Sequence, residues 1–136
     1  MPPRRRIDPA AGRAALAAWK ATRTPTLHAP ESAAAPDFAP VPDRTMTATA
    51  VRYALEELAA RAPGRSLEVR VPPFGATQCI EGSVHRRGTP PAVVEMTAEV
   101  WLDLVTGAVS WADAVAAGHV DASGERSDLS GWLPLA

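Results

Sequence analysis

Cysteine is almost absent from this chain. Cys79 is the only one, so no disulfide can form within it. A lone thiol with no histidine beside it in a recognisable motif reads as a small buried apolar residue rather than a nucleophile. Long apolar runs are missing as well. None approaches the ~20 residues that a bilayer-spanning helix requires, so no integral membrane segment is expected. Arg13 interrupts the alanine-rich stretch that would have to serve as the core of a signal peptide, and the expected location is the cytoplasm. Nor does one sign of charge dominate. The formal net charge is −1, which excludes a field that draws in nucleic acid or anionic membrane. Arg4-Arg5-Arg6 is the one basic block, and it reads as a solvated tail.

The motifs of catalysis are equally scarce. There is no Gly-x-Ser-x-Gly elbow and no glycine-rich strand-to-helix phosphate loop. Cys79 and His85 are too isolated to form a metal pair, and His28 lies among prolines. No catalytic residue, metal or cofactor is expected. The most polar candidate is the loop His85-Arg-Arg-Gly-Thr89. It reads as a solvated turn, or else as two guanidinium groups placed for a phosphate or carboxylate head.

What the chain does have is alanine, proline and well-punctuated apolar segments. Asp8-Pro9 is a helix start, because Asp caps free amides and Pro suits the first helical position. The helix that follows carries only Leu16 and Trp19 as large apolar groups, which predicts a weakly anchored helix over residues 1–21. Residues 22–45 hold five of the fourteen prolines, clustered between Pro25 and Pro42, and read as a linker, either draped on the domain or disordered. Residues 46–136 read as the folded domain.

In that domain, Thr47 to Ala62 places Val51, Ala54, Leu55, Leu58 and Ala62 on one helical face, with Arg52, Glu56 and Glu57 off it. Leu67 to Val71 alternates as a half-buried strand does, and Pro72-Pro-Phe-Gly75 turns it toward a second strand over Ala76 to Glu81. Ala92 to Met96 is a third strand. Thr97 caps a helix that stops at Gly107, and Ser110 caps another that stops at Gly118. His119 to Ser123 reads as a fourth strand, and Ser127 to Leu133 as a last helical turn. The pattern predicts an α+β fold with helices gathered on one face of a sheet.

Trp101 and Trp111 sit on the two consecutive capped helices. Such tryptophans are most often core, and less often the wall of an apolar pocket.

Trp101-Leu-Asp-Leu-Val-Thr-Gly107, the helix to Ala117, then Gly118-His-Val-Asp-Ala-Ser-Gly124 and the terminal leucines resemble the sterol carrier family. Pro72-Pro-Phe-Gly, Gln78-Cys-Ile-Glu and the run from His85 to Glu95 further resemble its bacterial orthologue branch. The resemblance covers about Thr47 to Leu135. It implies an about five-stranded, mainly antiparallel sheet covered by helices, an apolar cleft between the layers and no catalytic residues. The implied guest is a lipid-like small molecule: a sterol, a fatty acid or an acyl-CoA. Trp101, Leu104, Val105, Trp111 and Val115 are then the expected lining, with Arg86 and Arg87 at the head. A cleft of ~300 Å³ left as dry void costs about 7 kcal/mol at ~24 cal/mol per Å³, against a stability of ~5–15 kcal/mol. A guest fills it, or the helices close on the sheet. The alternative is accordingly a closed-cleft interaction or homodimerisation module. An enzyme acting on anions through His85, Arg86 and Arg87 is the weakest reading, since no base-plus-nucleophile pair is visible.

Overall fold

The computed structural model describes residues 5–22, 43–81, 92–123 and 128–135. Helix α1 spans Pro9–Thr22 and starts as the sequence predicts, with the Asp8 carboxylate accepting from Ala11 N at 3.1 Å. Helix α2, Arg44–Arg61, begins before the apolar stripe does, because Asp43 caps it by accepting from Thr45 N at 3.0 Å. Its predicted face of Val51, Ala54, Leu55, Leu58 and Ala62 is fully buried.

Strands β1 (Leu67–Val71) and β2 (Gly75–Cys79) form the predicted antiparallel hairpin, and β3 (Ala92–Glu95) lies on the other side of β1. Helices α3 (Ala98–Thr106) and α4 (Trp111–Ala116) then lead to β4, Asp121–Ser123. The sheet order is β2-β1-β3-β4. Among the described residues it has four strands where the resemblance implies about five. The β1–β3 pair is parallel and the other two pairs are antiparallel, so the sheet is mixed. Strict alternation in β1 identifies a strand but carries no information on the direction of its neighbour.

That alternation sorts the two faces. Leu67, Val69 and Val71 are buried together with Val94, which pairs with Val69, while Arg70 and its partner Glu95 are exposed on the opposite face. Among the described residues, helices therefore cover one face only. Thr97 accepts from Val100 N at 3.3 Å and Ser110 from Asp113 N at 3.1 Å, so both predicted caps form. Gly107 closes α3 at φ 79°, a left-handed conformation that glycine adopts without steric cost.

Two segments are held more firmly than composition implies. α1 buries Leu16 and Trp19, and Gly12 lies so close to α2 that a Cβ there would stand 2.2 Å from Tyr53 Cγ. Arg5 and Arg6 are no free tail. Arg5 pairs with Glu57 at 2.9 Å, and the amides of Arg6 and Ile7 donate to the Glu56 carboxylate at 2.9 and 3.2 Å. The expectation of a weakly anchored helix counted large side chains and missed these contacts. At the other end, the predicted helical turn is a single turn in which Trp132 N donates to Leu129 O at 3.0 Å. Leu129 and Leu135 are buried, and Leu135 N donates to Val105 O at 3.0 Å, satisfying a carbonyl in the last turn of α3.

Cys79 is wholly buried on β2, and burial pushes its thiol up to about 11. Iodoacetamide at pH 8 is expected to leave native protein unlabelled and to label it fully in urea, because the thiolate is the reacting form. Rapid labelling of the native protein would contradict this burial.

Candidate functional site

The tryptophans on the two capped helices part company. Trp101 is fully buried, and its indole N–H donates to the Val51 carbonyl at 3.4 Å. Leu104 is buried beside it in the same core cluster. Trp111 is half-buried against that cluster, and Val115 is 46% exposed. These residues take the commoner role for such positions: a core with a partly exposed edge. His85, Arg86 and Arg87 lie outside the described residues. Of the expected lining, Val105 alone borders the crevice described next.

That crevice, of about 320 Å³, lies on the helical layer where α1, α2, the end of α3 and the C-terminal segment meet. On α1 its wall is Arg13, Leu16, Ala17 and Lys20. These stand at i, i+3, i+4 and i+7, which is one helical face. On α2 the wall is Tyr53, Ala54, Glu57 and Arg61, again one face. Val105, Thr106 and Leu135 complete it. The arrangement follows from packing. α1 runs opposite to α2, since Arg5 meets Glu57 while Gly12 meets Tyr53. Ala17 on α1 and Ala54 on α2 both line this space, and their side chains are too short to fill it.

Two other hollows are larger but less apolar. One of about 390 Å³ between Ile7, α2 and β2 carries Arg6, Arg52, Glu56 and Thr77. Another of about 510 Å³ lies beside Pro63, Arg65 and Gln78. Volume favours these two; chemistry favours the first crevice, whose floor is Leu, Ala, Tyr and Val, and an apolar floor is what an apolar guest requires.

The rim of the crevice is charged. Glu57 pairs with Arg5 at 2.9 Å and with Arg61 at 3.0 Å. Burial alone would raise its carboxyl, but the hydrogen bonds and charges of Arg5 and Arg61 outweigh that and hold it below its ordinary value. A carboxyl lowered in the folded state stabilises the protein above its unfolded pKa and loses that contribution as pH falls through the folded value. Glu57→Gln is therefore expected to lower stability at pH 7 and to flatten the acid limb below about pH 4.5. Urea midpoints from pH 2 to 7 check this, and parallel wild-type and variant curves would contradict it. Glu57 contributes to fastening the N-terminal segment as well as to the rim.

No group of three His, Cys, Asp or Glu side chains suited to a metal occurs among the described residues. No helix among them is long and apolar enough to cross a membrane. Sequence reasoning missed the crevice because it set α1 apart from the domain over residues 46–136. The available signal was the matching apolar-and-cationic stripe on α1 and on α2. A family model described as bacterial SCP ortholog matches residues 43–135. No curated protein matches the chain.

Proposed function

Since the chain belongs to the bacterial SCP ortholog family, we propose that it is a non-enzymatic carrier that holds an apolar or amphipathic small molecule. The guest class is the one the family suggests: sterol, fatty acid or acyl-CoA. The observation that carries this reading is the crevice floored by Leu16, Tyr53, Val105 and Leu135. At about 320 Å³ it is near the lower limit of small-molecule sites, ~300–1,000 Å³. It opens to solvent, so it is not a dry void with the corresponding cost. Water against an apolar floor finds few partners, and its displacement by an alkyl chain is favourable.

This position differs from the cleft between helices and sheet that the resemblance implies. Trp101, Leu104, Val69 and Val94 are each at most 1% exposed, which supports a helix–sheet interface filled by the protein's own side chains. Mass spectrometry of an organic extract from purified protein tests the carrier reading. Co-purifying lipid, or saturable binding of an added amphiphile, is the expected outcome. A lipid-free extract together with no binding would reject it.

The filled interface also favours a second reading, an interaction or homodimerisation module. Trp132, 39% exposed, is its natural anchor. Light scattering across a concentration series separates the two. A dimer weakened by Trp132→Gln supports the second, and a monomer throughout contradicts it. Truncation after Asp128 is unsuitable for this purpose, because it removes the buried Leu129 and Leu135.

A further inference from the structure

We infer that the crevice selects amphiphiles with an anionic head, carboxylate or phosphate, and that Arg13 and Lys20 contact that head. The inference rests on the carrier reading and adds the charge of the guest.

Arg13 and Lys20 bracket Leu16 and Ala17 on the wall that α1 contributes. They stand seven positions apart, about 10.5 Å along the helix axis. Among the described residues the one carboxylate on the walls, Glu57, is already engaged by Arg5 and Arg61. Among the described residues neither Arg13 nor Lys20 has an ion-pair partner. The mouth thus carries an excess of positive charge in a chain whose formal net charge is −1, so the excess is local. Lys20 is also the only lysine in the sequence.

Simpler roles explain part of this. A lysine in the last turn of a helix complements the helix dipole, and an exposed arginine aids solubility. Neither role accounts for both cations lying across an apolar floor with no carboxylate among the described lining residues left to answer them. A neutral guest would leave them to water. An anionic head held at the edge of that floor gains charge-assisted hydrogen bonds where the apolar surface lowers the local dielectric. Because these groups are exposed, the expected preference is moderate, about five- to tenfold.

Calorimetry with decanoate, decyl phosphate, decan-1-ol and inorganic phosphate on the full chain tests this. Decanoate and decyl phosphate are expected to bind about five- to tenfold more tightly than decanol. The R13Q/K20Q variant should abolish that margin and leave decanol unchanged. R70Q, on the opposite face of the sheet, should preserve it. A second readout uses the single side-chain amine: decanoate should slow acylation of Lys20 severalfold, and decanol should slow it less. Equal binding of decanol and decanoate would overturn the inference and leave the carrier reading intact. So would a preference that survives R13Q/K20Q, or inorganic phosphate binding as tightly as decyl phosphate. If no amphiphile binds at all, the carrier reading fails and the inference with it.

Discussion

Replacing Trp101 with alanine should cost about 3–5 kcal/mol, the usual range for deleting a buried aromatic side chain. The indole is 0% exposed and sits where α3 meets α2, with its N–H on the Val51 carbonyl. Alanine leaves a hole in a core cluster whose other members, Leu58, Val69 and Leu104 among them, are buried in regular elements and have little freedom to close it. Against a typical domain stability of ~5–15 kcal/mol, the variant would be near the threshold of unfolding at 37 °C. Trp101→Phe keeps most of the packing but not the N–H, and should cost less. Trp132→Ala is the control: at 39% exposure it should change stability by no more than about 0.5 kcal/mol. Urea denaturation of all three checks the order. Equal midpoints for Trp101→Ala and Trp132→Ala would contradict the assignment of Trp101 to the core.

Gly12→Ala is the second variant with a large expected effect, and here two effects oppose each other. Alanine favours a helix interior by about 1 kcal/mol over glycine. The added Cβ, however, would lie 2.2 to 2.6 Å from three carbons of the Tyr53 side chain, well inside contact distance. Tyr53 is itself 7% exposed and has little room to retreat. Sterics should win: overpacking typically costs about 1–3 kcal/mol, and with so close an approach a net loss of about 2 kcal/mol should remain after the propensity gain. The strain is relieved if α1 lifts off α2, which exposes Leu16 and Trp19 and removes one wall of the crevice. Faster tryptic cleavage at Arg13 and Lys20 and weaker amphiphile binding should accompany the lower midpoint. Tyr53→Ala combined with Gly12→Ala restores room and should recover part of the seating of α1. Wild-type stability and protease resistance in Gly12→Ala alone would show that the close approach of the helices is not what holds them.

Much of the architecture is legible in residue order. Thr97, Gly107 and Ser110 mark helix ends by local chemistry, and each acts as a cap in the structure. The stripe from Val51 to Ala62 is buried because a 3.6-residue period leaves it one face to hide. The resemblance read over about Thr47 to Leu135 led to the correct family. Less legible are features that depend on what is missing or on distant partners. Gly12 matters through an absent Cβ, and Glu56 through backbone amides some fifty residues away. The parallel β1–β3 pairing leaves no mark on alternation. Trp101, Leu104 and Val105 share one buried cluster, but sequence cannot give their role there, because a buried Trp101 has the same spacing whether it faces a guest or its own core. The crevice combines α1 with Leu135, from opposite ends of the chain, and no local pattern joins them.

The most direct test of where a guest lies is a set of intermolecular nuclear Overhauser contacts from the alkyl protons of bound decanoate. Contacts to the methyls of Leu16, Ala17 and Leu135 are expected, with none to Val69 or Val94. Contacts to Val69, Val94 and the Trp101 ring would instead put the guest between helices and sheet, and contradict the crevice as the carrier site.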